Sequence, residues 1–392
     1  MFGAIYVGLS GLNAYQRGLQ QVSDNVTNLN TTGFKGSTVS FRNMIGNEQA
    51  GSASLTGGGR GSGQGVALGD ILRDFKTGEL RQSDRDLDLA IDGNGFFVLL
   101  EGDKSLYART GSFGIDKDGF IVLNGTTARL ATLDGAKRPV ALSIDTLRTS
   151  APKASTTVRF SDNISSSATS YSVSDITVYD AAGGRHVWTA AFTKTAATDT
   201  SWTVTVTDDK GVTIGTRTLT FTNGIVDAAT NKLDFTDSAT ALTVTFDFSQ
   251  GVSSFSSGNT STLRSASVDG YTVGSITGVT VNAKGEIEIA YSNSQKAQLG
   301  AVALADFRDL QSLEVRSGGL FAEVGDGGRT LSKVDDPGAA KIQSKRLEAS
   351  NIDLSRQFGD LILIQRGFQA SSQIVSVAND MIQQLFGIRG QG

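Results

Sequence analysis

The two ends of the chain share a seven-residue repeat of apolar positions, whereas the middle alternates between apolar and polar residues. In the first 30 residues the repeat consists of Ile5, Leu12, Leu19 and Val26, followed three positions later by Gly8, Tyr15, Val22 and Leu29. This spacing is the a/d pattern of a coiled-coil helix. The helix is predicted to end near Asn28, where turn-forming residues lead to Gly33.

The repeat at the C-terminal end is longer and more regular. It consists of Leu354, Leu361, Phe368, Val375 and Ile382, with Ile364, Ala378 and Leu385 at the companion positions three residues later. Gln357 and Ser371 are polar exceptions at companion positions. A helix over residues 354–386, capped at its start by Asp353 or Asn351, would be about 50 Å long. Such a helix cannot bury its own apolar stripe.

The middle of the chain predicts short strands joined by turns. Residues 203–207 and 242–248 alternate with period two, as half-buried strands do. Gly183 and Gly184 supply one hairpin turn, and residues 92–95 supply another. The predicted fold class is therefore mainly β with long α-helical termini. In this arrangement, nested β domains are carried on a two-helix terminal coiled-coil domain.

Domain boundaries follow from the changes in pattern. Glycine dominates residues 57–65, and a Ser/Gly/Asn-rich stretch at 249–262 separates the alternating region from later strands. The predicted domains are a helical polymerisation domain (1–30 plus 350–392), a glycine-rich connector (31–70), a first β domain (71–148 plus 280–349) and an inserted outer β domain (149–279).

Composition and charge exclude several classes of protein. The 392 residues contain no Cys, so neither a disulfide framework nor a thiolate metal site can form. Net charge is −4, from 35 basic and 39 acidic side chains, and no basic cluster suited to nucleic acid stands out. No run of about 18 apolar residues predicts a membrane span. The N-terminal sequence lacks the charged and continuous apolar regions of a cleaved secretion signal.

Candidate catalytic and metal-binding groups are few. His186 is the single histidine, which leaves no second imidazole for a zinc site. Asp84, Asp86 and Asp88 alternate, but Leu89 and Gly95 occupy the positions where a calcium loop needs Gly and Glu. The glycines at 57–65 lack the Lys–Ser/Thr ending of a phosphate-binding loop. We therefore expect no enzyme activity, no cofactor and no metal.

The terminal stripes have two interpretations. An apolar stripe at helical spacing is usually a core face of a globular protein. Here both stripes lie outside the β regions and keep the heptad period, which favours packing against each other and against neighbouring copies. Contacts between different faces of identical subunits do not close, and they produce a helical filament. The subunit-interface residues predicted on this basis are Ile5, Leu12, Leu19, Val22, Val26, Leu29, Leu354, Leu361, Ile364, Phe368, Val375, Ile382 and Leu385.

Several motifs resemble those of the flagellar axial proteins of rod and hook. At the N-terminal end these are SGLNA at 10–14, DNVTN at 24–28 and NTTGFK at 30–35; at the C-terminal end they are SNIDL at 350–354, QRGFQASS at 365–372 and DMI at 380–382. Two internal motifs, AIDGNGFF at 90–97 and RTGSF at 109–113, also match. The region of about 150–280 carries no matching motif. Gly367 departs from the family, which often has Ala there.

The resemblance implies a structural subunit of the flagellar hook, because a length near 400 residues and a Thr-rich inserted domain are typical of hook subunits. It further implies an extracellular homopolymer that transmits motor torque, exported by the flagellar type III apparatus without signal cleavage. The expected partners are the distal rod protein, the hook cap and the hook–filament junction protein, with no nucleic acid and no membrane insertion. The alternatives are a distal rod or junction subunit or, from another class, an extracellular β-rich adhesin.

Overall fold

The computed structural model describes residues 2–45, 63–325, 327–334 and 336–389. A long helix lies at each end of the chain, and strands make up most of what lies between. The predicted fold class, mainly β with long α-helical termini, is confirmed. Helix α1 is Phe2–Thr27 and helix α2 is Leu354–Arg389.

Local sequence explains where the two helices begin and end. The carboxylate of Asp353 accepts hydrogen bonds from the backbone N–H groups of Ser355 and Arg356, at 2.8 and 3.3 Å, and so caps the start of α2. Helix α1 is followed by turns that lead to Gly33, which has a positive φ of 71° that favours glycine. The two helices therefore end close to where the turn-forming residues predict.

A two-stranded ribbon follows α1 within the predicted glycine-rich connector (31–70). Its strands are β1 (Ser37–Ile45) and β2 (Gly63–Arg73), and they pair antiparallel. The connector prediction is therefore wrong for these residues. Pairing between the two strands gives their backbone N–H and C=O groups hydrogen-bond partners, and the glycine-rich composition alone does not reveal that pairing. Of the glycine-rich run 57–65, residues 57–62 lie outside the described residues.

One compact unit contains both helices, the ribbon and a twelve-stranded sheet. Its further strands in the first half of the chain are β3 (Leu80–Gln82), β4 (Asp88–Asp92), β5 (Phe96–Glu101), β6 (Lys104–Ala108), β7 (Thr110–Ile115), β8 (Ile121–Leu123), β9 (Arg129–Leu133) and β10 (Pro139–Ala141). Aromatic side chains fill its core, where Phe96 contacts Phe75, Phe307 and Phe321 with ring centroids 5.6–5.9 Å apart.

The second compact unit is a ten-stranded sheet around its own apolar core. Its strands are β11 (Thr149–Ser150), β12 (Thr157–Asn163), β13 (Ser170–Tyr179), β14 (Arg185–Thr193), β15 (Ser201–Thr207), β16 (Thr213–Thr222), β17 (Ile225–Val226), β18 (Lys232–Asp237), β19 (Leu242–Asp247), β20 (Val252–Ser253) and β21 (Arg264–Val268), of which β11 pairs instead with β22. Alternation decides the burial: Trp202, Val204 and Val206 point into the core and the intervening hydroxyl residues point outward.

The chain then returns to the first sheet through a short additional sheet. The short additional sheet contains β22 (Gly274–Val281), β23 (Glu286–Tyr291) and β24 (Lys296–Ala301) together with β11. The remaining strands of the chain are β25 (Leu304–Phe307), β26 (Leu313–Arg316), β27 (Leu320–Glu323), β28 (Arg329–Ser332), β29 (Lys341–Ser344) and β30 (Arg346–Glu348). The second unit comprises residues 146–278 and 289–297. Residues 289–297 therefore belong to it and not to the predicted first β domain. The four-domain division otherwise stays a prediction.

Candidate assembly interface

Helices α1 and α2 pack against each other through small residues. A methyl group built on Gly8 would lie 2.7 Å from the side chain of Val375, and one on Gly11 would lie 2.6 Å from Ser371 Oγ. Gly367 on α2 faces the ring of Tyr15 in the same way. Contacts this short leave no room for a side chain, so glycine sets the approach of the helices. We call this contact the helix seam.

On α1, the line of deepest burial differs from the predicted one. It comprises Gly8, Gly11, Ala14, Gly18, Val22 and Asn25. Of the predicted interface residues in this region, only Val22 is fully buried, whereas Ile5, Leu12, Leu19, Val26 and Leu29 are half-buried. Large apolar residues flank the seam beside Gly8 and Gly11, because the helices approach there too closely for a larger side chain at the centre.

On α2, the deepest positions are the companion positions of the repeat, where Ile364 of the predicted interface and Ala378 lie in line with the two polar exceptions. Gln357, Ile364, Ser371 and Ala378 are spaced by seven and are 5–9% exposed. The prediction placed Leu354, Leu361, Phe368, Val375 and Ile382 on the interface; Leu361, Val375 and Ile382 are half-buried, while Leu354 and Phe368 are exposed. The side chain of Leu385 lies outside the described residues. The structure therefore assigns the polar exceptions to the centre of the seam.

A hydrogen-bonded amide cluster fixes the base of the seam. The Asn25 amide group donates to Gln357 Oε1 at 3.0 Å and to the carbonyl of Ser37 at 2.8 Å, and its oxygen accepts from the Ser37 N–H. Asn25 and Gln357 are both buried. A buried polar pair is matched in only one register, because a shifted register would leave both amides without partners.

The ribbon covers one side of α1. The ring centroids of Phe41 and Tyr15 lie 5.3 Å apart, and the N–H of Val66 donates to Ser10 Oγ at 3.1 Å. Gly65, with φ of 103°, allows this approach because a Cβ there would collide with Ser10. The ribbon therefore forms a third layer on the helix pair.

A second apolar stripe on α2 is largely exposed, although Ile374 within it lies beside Gly8 of α1. It consists of Leu363, Ala370, Ile374, Val377 and Met381, which we call the outward apolar face. Leu363 is 68% exposed, and Val377 and Met381 are 52% and 51% exposed. Sequence reasoning missed this face because it took one stripe per helix. The signal was present: 370, 374, 377 and 381 alternate by four and three residues, as a heptad stripe does.

A buried ionic clasp joins the ends of both helices to the first sheet. Glu348, the last residue of β30, accepts a hydrogen bond from Lys35 Nζ at 2.6 Å and from Arg109 Nε at 3.2 Å. All three side chains are nearly inaccessible to solvent. Burial lowers the pKa of Lys35, and the neighbouring Glu348 carboxylate opposes that shift. We call Lys35, Arg109 and Glu348 the ionic clasp.

The clasp also satisfies backbone groups of the surrounding loops. Glu348 Oε1 accepts from the N–H of Gly78 at 2.7 Å, and Arg109 donates to the carbonyls of Gly93 and Gly95 at 2.8 and 2.7 Å. The carbonyl of Glu348 accepts from the N–H of Gly33 at 2.8 Å. One carboxylate therefore organises the exit from α1 and the entry to α2.

Two other candidate groups of the sequence, His186 and Asp88, have partners within the second unit and the first unit. His186 lies in β14, and its Nε2 is 3.0 Å from Asp180 Oδ2 at a hairpin turn. Asp88 is buried and accepts a hydrogen bond from Ser83 at 2.5 Å. Within 2–45, 63–325, 327–334 and 336–389, no group of His, Asp and Glu side chains is placed to hold a metal ion. Neither helix, over its described length, is apolar enough to cross a membrane.

Gly367→Ala is expected to destabilise the helix pair, although alanine favours a helix by about 1 kcal/mol over glycine. The new methyl group would lie 2.5 Å from Cε1 of the Tyr15 ring, and overpacking of this kind costs about 1–3 kcal/mol. In a Tyr15→Ala background the same substitution should stabilise, because the ring is gone. Chemical unfolding followed by helical circular dichroism measures this double-mutant cycle. Equal effects in both backgrounds would contradict the glycine contact.

Four segments of the chain match described protein families. Residues 5–35 match "Flagella basal body rod protein", and residues 343–388 match "Flagellar basal body rod FlgEFG protein C-terminal". Residues 90–175 match "Flagellar hook protein FlgE/F/G D1 domain", and residues 146–271 match "Flagellar basal body protein FlaE D2 domain". The first two matches contain most of α1 and α2, which form the helix seam.

Relatives that match almost the whole chain are named flagellar hook protein FlgE. The chain is 29% identical over 416 residues to the flagellar hook protein FlgE of Salmonella typhimurium, covering 97% of this chain and 98% of that protein. It is 26% identical over 469 residues to FlgE of Treponema pallidum, covering 99% and 100%. Among solved structures, the Helicobacter pylori flagellar hook protein FlgE2 aligns with a TM-score of 0.48 and 14% identity, covering 69% of this chain and 100% of that one.

Proposed function

We infer that the chain is a structural subunit of the bacterial flagellar hook, within the flagellar rod and hook protein family. Such a subunit polymerises into a flexible tubular joint that transmits motor torque to the filament. The Salmonella typhimurium and Treponema pallidum relatives, which match over 97% and 99% of the chain and are named hook protein, support the hook over the distal rod and the junction. An extracellular adhesin is not supported by these relatives.

The observation that carries the assembly mechanism is the outward apolar face of α2. The helix seam is already filled within one chain, so the seam residues Val22 and Ile364 act in folding the helix pair. The outward apolar face and the exposed Leu354 and Phe368 remain for contacts between copies. Exposed apolar stripes of this length mark interaction surfaces, because water contact with them is unfavourable.

The proposed mechanism divides the work between the helices and the sheets. The helix pairs of neighbouring copies pack into a tightly joined tube that carries load, through apolar contacts. The β units make more polar contacts, which re-form at lower cost when copies shift relative to one another. The clasp would hold each helix pair to its own sheet under torque.

The proposed partners are the proteins that would adjoin a hook polymer. The polymer would stand on the distal rod protein, grow beneath the hook cap and carry the hook–filament junction protein. Export through the flagellar type III apparatus without signal cleavage fits a chain with no Cys and 3 Pro, because neither cross-links nor slow prolyl steps would delay refolding. Export of the intact chain into the medium by a flagellated bacterium, with Met1 retained by mass spectrometry, would test this route.

Electron microscopy of the purified full chain under polymerising salt tests the proposed function. We expect hollow tubes with regular helical order, formed above a threshold protein concentration. The same sample at low salt is the control. A chain that stays monomeric or forms only closed oligomers at all salt concentrations would overturn the proposal, since a closed ring cannot extend into a joint.

Removal of most of the second unit is expected to leave polymerisation intact and to change the curvature of the tube. Lys153 and Tyr271 are paired, with the N–H of Lys153 donating to the Tyr271 carbonyl at 2.9 Å, so a two-residue turn can replace residues 154–270. The threshold concentration should change by less than about tenfold, because the helices carry most of the contact energy. Loss of tubes in a folded variant would contradict the division of work.

A further inference from the structure

Hydroxyl groups cover one part of the outer face of strands β13–β16 in the second unit. The residues of this part are Ser170, Ser172, Thr189, Ala191, Thr193, Ser201, Thr203, Thr205, Thr207, Thr216, Thr218 and Thr220, whereas the exposed, charged Asp175 and Arg185 lie elsewhere on β13 and β14. Eleven of these twelve are Ser or Thr, none is charged, and all are half-buried or exposed. We call this surface the hydroxyl face.

The hydroxyl groups form straight rows across the strands. Strand register places Ser170, Thr193, Thr203 and Thr218 side by side, and the next row is Ser172, Ala191, Thr205 and Thr216. Thr205 Oγ1 and Thr216 Oγ1 lie 3.3 Å apart, and Ser201 Oγ and Thr220 Oγ1 lie 3.5 Å apart. A hydroxyl group can donate a hydrogen bond and accept one, so each row can form hydrogen bonds with donors and with acceptors of a partner.

Strand propensity alone does not explain the absence of charge. Threonine suits an exposed strand, but exposed strands usually carry charges that keep proteins apart. The hairpin β18–β19 of the same unit does so, with outward Lys232, Asp234 and Asp247 beside Thr236 and Thr243. Two sheet surfaces of one unit therefore both carry threonine but differ in charge. A contact made by the hydroxyl face explains why that surface has no charged residue.

We propose that the hydroxyl face is a lateral contact surface for a neighbouring copy of this chain in the polymer. This proposal rests on the proposed function. Four strands about 4.8 Å apart, with rows about 6.8 Å apart along them, give an area on the order of 400 Å². Two such surfaces bury about 800 Å², well below the roughly 1,200 Å² of a stable complex. The contact therefore forms only between copies that the helices already hold together.

The chemistry of the face also fits a contact that must re-form. The rows repeat at the spacing of the strands, so a partner displaced by one strand meets equivalent hydroxyl and methyl groups. A charged pair would fix a single register, because displacing it leaves an unpaired charge at the contact. The hydroxyl face accepts several registers with similar hydrogen bonding, directly or through water.

The test uses the absence of native cysteine, which makes any introduced thiol unique. Thr203→Cys places a thiol in the middle of the hydroxyl face, and Thr243→Cys places a matched one on the charged hairpin; both positions are exposed on their strands. The rate of maleimide labelling is measured for monomer and for tubes. We expect a fall of about tenfold on polymerisation at 203 and of less than about twofold at 243. Thr218→Cys replaces Thr203→Cys if the latter does not assemble.

The possible outcomes separate this inference from the proposed function. Tubes in which the two thiols are labelled at unchanged rates, or in which both are protected equally, would overturn the hydroxyl-face contact and leave the hook assignment standing. Protection at 203 already present in the monomer would also overturn it. Failure of the unsubstituted chain to form tubes would instead overturn the proposed function.

Discussion

Val377→Asp is expected to raise the threshold concentration for tube formation by about 100-fold while leaving the monomer folded. Val377 lies on the outward apolar face and is 52% exposed, so an aspartate there is hydrated in the monomer. In the polymer the same carboxylate would be enclosed against another copy, which costs several kcal/mol unless a cation pairs with it. A cost of about 3 kcal/mol per contact raises the threshold concentration by about 100-fold. Sedimentation of assembled protein over a range of concentrations measures that threshold.

The matched control is Gln373→Asp, an aspartate on the same helix at an exposed polar position. It changes the charge equally but lies off the outward apolar face, so its threshold concentration should stay within about threefold of the unsubstituted chain. Circular dichroism should show the same helix content for both variants in the monomer. Equal thresholds for Val377→Asp and Gln373→Asp would contradict the role of this face in assembly.

Glu348→Ala is expected to cost about 3–5 kcal/mol of the free energy of unfolding of the first unit. The substitution leaves Lys35 and Arg109 buried with no anion between them, and it removes the acceptor of the Gly78 N–H. An uncompensated buried charge is far more costly than a lost surface ion pair. Guanidinium unfolding of the monomer, followed by circular dichroism, measures the change.

Glu79→Ala provides the comparison, because Glu79 pairs with Arg81 and both are largely exposed. Its effect should be below about 0.5 kcal/mol. Glu348→Gln should fall between the two, since an amide oxygen can still accept hydrogen bonds but the negative charge is gone. A Glu348→Ala variant as stable as Glu79→Ala would show that the clasp does not support the junction of helices and sheet.

Local pattern was sufficient to predict the secondary structure and the order of its parts. The heptad repeats at 5–29 and 354–385 predict helices, and α1 and α2 are found there. Period-two alternation at 203–207 predicts a strand whose apolar residues are buried, as β15 has it. These features depend on the geometry of one backbone segment, in which side chains return to the same face every 3.6 or 2 residues. The sequence carries them without reference to any distant residue.

The sequence also contained the stripe on α2 that the structure leaves exposed. Nothing in the spacing of Leu363, Val377 and Met381 distinguishes a stripe that packs within the chain from one that stays open. That distinction depends on where α1 lies. Once α1 covers Ile364 and Ala378, the neighbouring stripe through Leu363, Val377 and Met381 stays exposed.

What the sequence by itself determined is therefore the type, the place and the periodicity of each element. Only the tertiary structure decided that Gly8 and Gly367 form the contact between the helices, that Gln357 and Asn25 pair, and that Glu348 meets Lys35 from 313 positions away. The physical reason is that close packing and the pairing of buried polar groups are properties of two distant segments together. A glycine, an amide or a carboxylate shows its role only when its neighbours in space are known.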